Sequence, residues 1–329
     1  DLRKKVRDLP VSQKQMLEIA NALSKNAKLL VMDEPTAALS SAEVEILFST
    51  IEDIKARGIG IIYISHKLEE VKRIGDRITI LRDGANVATM AAAEAELAQI
   101  INLMIGKEMA AGREARERRS TLAELYRVEN LTTGNITAPV DVQVRKGEIL
   151  GVTGLVGAGK TELAQALFAV DPWRSGAAFL DERPARYRSP RQAIKLGMGF
   201  LPEDRDADGL CLNMGVKENL SLVQLAKLRS FFFSVAGERR TANELVKAID
   251  IKTAGLSQQV KYLSGGNKQK VVFGKWLGAQ CRLLILDEPT IGIDVGARWE
   301  IYELIREFVD DGDRAVVFIS SDMAEILDV

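Results

Sequence analysis

The stretch that most constrains the fold is Gly154-Leu155-Val156-Gly157-Ala158-Gly159-Lys160-Thr161, a G-x-x-x-x-G-K-[ST] run between the apolar Ile149-Leu150-Gly151-Val152 and a helical pattern at Leu163, Leu167 and Phe168. Strand, glycine loop and helix in that order form a phosphate-binding turn. The glycines let backbone N–H groups wrap a nucleotide polyphosphate at a helix N-terminus, where donors are unpaired and the helix dipole is positive. Side chains there would block the approach. Lys160 is then placed to reach the β- and γ-phosphates, and the Thr161 hydroxyl to ligate Mg²⁺.

Internal repetition is the second constraint. Leu9-Pro10-Val11-Ser12-Gln13-Lys14-Gln15, then Leu29-Leu30-Val31-Met32-Asp33-Glu34-Pro35-Thr36, returns as Leu263-Ser264-Gly265-Gly266-Asn267-Lys268-Gln269, then Leu283-Leu284-Ile285-Leu286-Asp287-Glu288-Pro289-Thr290. Asp33 follows Leu9 by 24 residues, as Asp287 follows Leu263. Tyr63-Ile64-Ser65-His66 is matched by Phe318-Ile319-Ser320-Ser321. Two copies of one domain are therefore expected, at least in part: residues 1–106 as the C-terminal part of the first, 107–125 as a linker, 126–329 as the second. No phosphate loop precedes Leu9. The first copy continues through a strand-like Arg77-Ile78-Thr79-Ile80-Leu81, a turn at Asp83-Gly84 and a helical Ala91 to Met104, for which the second has no equivalent before Val329. The expectation is a fragment cut at both ends.

With 47% hydrophobic and 28% charged residues, the 329-residue chain has material for the cores of a soluble two-domain protein. Its net charge of −1 supplies no overall field for nucleic acid or anionic lipid. Cys211 and Cys281 lie in different segments without metal-ligand spacing, which suits a reducing compartment and argues against a disulfide. No run nears the ~18 apolar residues of a membrane span, and no charged-then-apolar leader opens the sequence, so any membrane role is expected to be peripheral.

Each Asp-Glu pair ends a run of four apolar residues. That pattern reads as a buried parallel strand delivering carboxylates to the sheet edge where ligands bind in open α/β folds. Asp287 can hold Mg²⁺ through water, and Glu288 can polarise the water that attacks a γ-phosphate. Phosphoryl transfer is mostly positioning and charge neutralisation, so one base, one metal and a cradle suffice.

These motifs together resemble the ABC ATPases: Leu263-Ser264-Gly265-Gly266-Asn267 is similar to their signature, Gly154–Thr161 to their Walker A, and Asp287-Glu288 to their Walker B. The Gly199-Phe200-Leu201-Pro202-Glu203-Asp204-Arg205 run and Ile291-Gly292-Ile293-Asp294-Val295-Gly296-Ala297 narrow the resemblance to the two-domain ATP-binding subunits of bacterial carbohydrate importers, the group handling ribose, galactose, xylose and autoinducer-2. The resemblance implies an α/β phosphate-loop fold, a mostly parallel sheet with helices on both faces and a helical subdomain, present in two tandem copies of which the first lacks its N-terminal half. It implies ATP and Mg²⁺ as cofactors, permease subunits and an extracytoplasmic sugar-binding protein as partners, and a place at the cytoplasmic face of the membrane.

The family forms two nucleotide sites, each joining one domain's Walker motifs to the other domain's signature. By that resemblance site one uses Asp33, Glu34 and His66 with Ser264, Gly265, Gly266 and Asn267. Site two uses Gly154–Thr161, Glu203, Asp287 and Glu288, and Asp294 joins the nucleotide-binding set. The first signature is degraded: Pro10 has neither hydroxyl nor N–H, and Val11 adds bulk where glycine is wanted. Ser321 stands where the only histidine, His66, stands in the first copy. Site one is therefore the expected seat of turnover, and the chain alone is expected to bind Mg-ATP and hydrolyse it very slowly. Glu203 stands where the family core carries glutamine, and Asp204, Asp206, Asp208 and Gly209 equally make good turn chemistry. An adenine-stacking aromatic is expected ahead of Walker A, yet Val128 to Val152 contains none and Tyr126 is a poor candidate.

Three segments stay open at the level of sequence. Gly106 to Leu122, with Arg113, Arg116, Arg118 and Arg119 among acids, reads as a solvated linker helix or a binding patch. Phe231-Phe232-Phe233 reads as a docking surface or a buried helical corner. Residues 210–263, periodic at Leu245, Ile249 and Ile251, read as the inserted helical subdomain. A soluble tandem ATPase acting on ribosomes or nucleic acid is the alternative function; its long basic linker and two intact signatures are not found here.

Overall fold

In a computed structural model of the chain, the described residues are 5–6, 9, 11–24, 27–36, 39, 41–65, 67–82, 84–105, 123–155, 157–227 and 235–329. His66, Val156, the Phe231–Phe233 run and Gly106 to Leu122 lie outside them. The chain divides into two compact units.

The first unit runs α1 (Val11–Ser24), β1 (Leu29–Asp33), α2 (Ser41–Ala56), β2 (Gly60–Ile64), α3 (Leu68–Ile74), β3 (Arg77–Arg82), β4 (Ala85–Ala91) and α4 (Leu97–Ile105). β1 and β2 pair in parallel, Asp33 opposite Ile64. One face of this pair carries Leu30 and Met32 into a core with Ile19, Leu47, Phe48, Ile51 and Ile54. The other face carries Leu29, Val31, Ile62 and Ile64, each 47–57% exposed. The expectation of a strand buried on both sides is therefore corrected for the first unit: β1 alternates between exposed and buried.

A second correction concerns Ala91 to Met104. Helix α4 starts only at Leu97, because residues 85–91 form a strand that pairs antiparallel with β3. Alanines 91, 92, 93 and 95 raised the helical pattern, but Ala91 pairs with Arg77 as the last residue of β4, residues 92–94 form a turn, and Ala92 and Ala95 are buried with Ile78, Ile80 and Ile100, so tertiary contact overrides propensity.

The second unit opens with β5 (Glu124–Thr132), so the strand begins two residues ahead of the expected boundary at Tyr126. Then come β6 (Val140–Arg145), β7 (Ile149–Val152), α5 (Lys160–Leu167), β8 (Ser175–Leu180), β9 (Arg183–Ala185), α6 (Pro190–Lys195) and β10 (Met198–Leu201). They are followed by α7 (Val216–Lys227), α8 (Val235–Ala248), α9 (Gly265–Gly278), β11 (Leu283–Asp287), α10 (Val295–Val309), β12 (Ala315–Ile319) and α11 (Met323–Asp328).

Two sheets result: an antiparallel β6-β5-β8-β9 and a parallel β10-β11-β12-β7. All five residues of β11 and of β12 are buried, as continuous apolar runs in a doubly covered parallel sheet require. Helix α5 lies against β11 and β12. Helices α7 and α8 form the inserted helical part, with α9 against both. At Gly274 an added Cβ would stand 2.7 Å from Ile249 and 2.8 Å from Leu220, so α9 meets its neighbours at glycine-limited distance.

Candidate nucleotide site

β7 ends at Val152, and the chain turns through the glycine loop into α5. Gly157 and Gly159 take φ of 80° and 89°, the left-handed region in which a side chain is strained, and Gly159 is the N-cap of α5. Gly154 lies close to Ala158, and Leu155 at the loop tip is 86% exposed. Lys160 Nζ folds back over the loop, donating to the carbonyls of Gly154 at 2.8 Å and Leu155 at 3.1 Å.

Three chain segments meet at Thr161. Its hydroxyl stands 3.4 Å from Glu203 Oε2, just past the end of β10, and 3.4 Å from Asp287 Oδ1, at the end of β11. Asp287 is wholly buried, and its Oδ2 has no hydrogen-bond partner among the described residues. Burial, and then the charges of Glu203, Glu288 and Glu162, push its pKa up to about 6 against the Thr161 hydroxyl. A buried carboxylate with an orphaned oxygen, crowded by three more carboxylates and one hydroxyl, fits a hard cation with oxygen ligands.

Glu288 follows with φ 47°, a left-handed backbone in a non-glycine residue. Ser321 donates to Glu288 Oε1 from its N–H at 2.8 Å and from its hydroxyl. A serine thus grips this carboxylate, in the sequence place that His66 takes after Ile64-Ser65. In the first unit Asp33 ends β1, and Glu34 repeats the φ of 47°.

Beyond the cradle, Thr161, Gln165, Glu203, Arg205, Asp206 and Gly292 are among the residues lining a cavity of about 580 Å³. Asp204 caps the wide turn Arg205–Gly209 by accepting from the N–H groups of Asp206 and Ala207. Sequence reasoning gave this turn no anchors, but three basic residues hold it. Arg205 donates to the carbonyls of Ile291 at 2.7 Å and Gly292 at 3.3 Å; Lys268 pairs with Asp206 at 2.6 Å; Lys275 donates to Gly209 O at 2.7 Å. The signal lay in the basic residues of the α9 pattern, spaced so that one face of the helix meets the acidic turn.

Ser264 is the N-cap of α9, yet its side chain bonds no backbone N–H of the helix; its hydroxyl accepts from the Asn267 side chain, Nδ2 at 2.8 Å, which leaves the hydroxyl proton for an outside acceptor. The two glycines after it differ. A Cβ on Gly265 would come within 3.0 Å of Gly292 O, whereas one on Gly266 would stand 2.3 Å from Ala297 Cβ, so Gly266 serves helix packing against α10. Asp294, grouped by sequence with the nucleotide contacts, is the N-cap of α10, accepting from Ala297 N at 2.8 Å. Tyr126 is fully buried with its hydroxyl 2.6 Å from that of Tyr187, so it offers no stacking face to a base. Cys211 and Cys281 are both free thiols.

A phosphate loop on a parallel sheet, an acid at the end of β11, separated from β7 by β12, and an inserted helical part define the second unit as a phosphate-loop NTPase fold of the ABC type. Residues 137–291, all in the second unit, match the family profile of the ABC transporter. It is 46% identical over 321 residues to the ribose import ATP-binding protein RbsA of Geobacillus kaustophilus, with 97% of this chain and 64% of that protein covered. It is 46% identical to ribose import ATP-binding protein RbsA 1 of Streptomyces avermitilis (99% and 62% covered). A putative ribose/galactose/methyl galactoside import ATP-binding protein of Burkholderia cenocepacia is 43% identical (99% and 64% covered). The chain thus spans less than two thirds of the length of these relatives. Among solved structures, the dimeric, ADP- and phosphate-bound ATP-binding cassette MJ0796 superposes with a TM-score of 0.54 at 19% identity, covering 61% of this chain and 90% of that one, a likeness of fold.

Proposed function

We propose that this chain is part of the ATP-hydrolysing, energy-coupling subunit of an importer for a monosaccharide of the ribose class. The observation that carries the reading is the meeting at Thr161: a hydroxyl beside a glycine cradle, 3.4 Å from carboxylates of two other strands' ends, one of them buried with an unmet oxygen. Relatives named as ribose import ATP-binding proteins, similar along nearly the whole of this chain, supply the substrate class.

In this reading the loop N–H groups and Lys160 hold the polyphosphate, Lys160 exchanging its bonds to Gly154 and Leu155 for phosphate oxygens. Thr161, Asp287 and Glu203 would hold Mg²⁺, which when bound neutralises charge on the β- and γ-phosphate oxygens. Glu288 orients the attacking water and accepts its proton, while Ser321 fixes the carboxylate. Ser264 and the N-terminus of α9 offer a hydroxyl and amides to a γ-phosphate. Residues 1–106 are read as the corresponding part of a second copy, in which Asp33, Glu34 and His66 take the metal, base and switch parts. Among the described residues no helix is long and apolar enough to cross a membrane, and the subunit is read as docking on permease subunits at the cytoplasmic face, with a sugar-binding protein outside.

Two measurements test this. Calorimetric titration should show Mg-ATP binding to the chain; a chain with no affinity for Mg-ATP refutes the site. Deleting the gene should abolish uptake of labelled ribose-class sugars in the source cell, and undiminished uptake of all of them refutes the transport role.

A further inference from the structure

We propose that Glu325, and its counterpart Glu70 in the first unit, are positioning residues that hold the turn carrying each base in its left-handed backbone; the proposal rests on the nucleotide reading above. Glu34 and Glu288 both sit at φ 47°, a conformation in which a Cβ crowds the following carbonyl. Such strain persists where surrounding structure over-determines it. In both copies one anchor is the residue's own N–H, which donates at 2.9 Å to the last carbonyl of the neighbouring strand, Ile64 or Ile319.

The other anchor lies two residues on. Thr36 and Thr290 are 0% and 4% exposed, although both are polar. Thr36 Oγ1 donates to Glu70 Oε2 at 2.7 Å, and Thr290 Oγ1 donates to Glu325 Oε1. Each glutamate lies in the first turn of the helix after the switch strand, α3 or α11. Each takes a further hydroxyl: Glu70 from Tyr63 at 2.8 Å, Glu325 from Ser320. The second donor changes between copies while the Thr–Glu pair stays.

Glu325 is 4% exposed and has both oxygens occupied, Oε1 by Thr290 and Oε2 by Ser320. A buried carboxylate is costly to keep unless its bonds are needed, and an apolar side chain would fill the same space. Its two donors flank the residues that frame Glu288: Thr290 follows Glu288 by two positions, and Ser320 precedes Ser321, which grips Glu288 Oε1. Glu325 therefore ties together the two loops between which the base is aimed.

Single-turnover phosphate release from Mg-ATP by the 329-residue chain, measured beside the Mg-ATP Kd, tests the assignment. Thr290→Val removes the hydroxyl at constant shape; it should slow release by about tenfold or more while Kd stays within about twofold, and Thr290→Ser should restore the rate to within about threefold. A rate unchanged in Thr290→Val, or one that falls only in step with affinity, overturns the proposal. Should Thr290→Val fail to fold, Ser320→Ala must give the same split between rate and affinity, and its absence overturns it equally. A wild-type chain that binds Mg-ATP but releases no phosphate in a day sinks this proposal and leaves nucleotide binding standing; a chain that binds none sinks both.

Discussion

Lys275 offers a quantitative test of how the acidic turn is held. Its ammonium group is buried on α9, donates to Gly209 O at 2.7 Å, and has the Trp276 ring 5.2 Å away. Burial lowers its pKa from 10.5 to about 8, with the Cys211 charge opposing. A lysine whose folded pKa is depressed costs stability in full below the folded value, and the cost is relieved as pH rises towards the unfolded one. At pH 7 that cost is about 3 kcal/mol, and about 2 kcal/mol of it should be recovered by pH 9.5. Lys275→Met keeps the length, removes the charge and leaves Gly209 O unpaired, a loss of about 1–2 kcal/mol. The variant should therefore be about 1–2 kcal/mol more stable than wild type at pH 7, and level with it to about 1 kcal/mol less stable at pH 9.5. All three tryptophans (Trp173, Trp276, Trp299) lie in the second unit, so tryptophan fluorescence in urea follows that unit's unfolding. A wild-type-minus-variant difference that stays flat, within about 0.5 kcal/mol, from pH 7 to 9.5 refutes the argument.

Three further outcomes are expected. Lys160→Ala should weaken Mg-ATP binding by about tenfold or more in calorimetry, since charge-assisted contacts to phosphate are lost; unchanged affinity would place the nucleotide elsewhere. Gly266→Ala should destabilise the second unit by about 1–3 kcal/mol in urea, because the new methyl meets Ala297 at 2.3 Å; a neutral change would show that α9 and α10 can part without cost. Asp181 is held at about 2 by Arg282 and Lys146, so relative to Asp181→Asn the wild type's advantage should be full above pH 3.8 and vanish as pH falls towards 2; a pH-independent difference contradicts the pairing.

The parallel sheet was legible because its strands are fully apolar and each ends on chemistry: Ile149–Val152 before the glycine loop, Leu283–Asp287 before Glu288. The meeting of Thr161 with Glu203 and Asp287 could be inferred only in part, since it joins residues 42 and 126 positions apart, a matter of topology. What stayed hidden was held by contacts without a pattern of their own. Ala91 to Glu96 reads as helix because alanine favours helix locally, and only the pairing of Ala91 with Arg77 on β3 and the turn after it decide otherwise. Arg205, Lys268 and Lys275 look like surface charges until the acidic turn folds onto them. The capping of α10 by Asp294 shows only once that helix is in place. The Thr–Glu pairs were written in both copies, but 34 residues apart in one and 35 in the other, a mismatch that a fixed-spacing comparison passes over.

The bare side of the β1–β2 pair has a practical consequence for anyone handling this chain. Leu29, Val31, Ile62 and Ile64 present a contiguous oily strip on an otherwise ordered unit. Environment-sensitive dyes such as ANS bind surfaces of this kind, and their fluorescence is commonly taken as a sign of a loosened, molten state. In this 329-residue chain the folded first unit would itself give that signal, so dye binding alone would misjudge a well-packed preparation as partly denatured; near-ultraviolet circular dichroism of the same sample would tell the two apart.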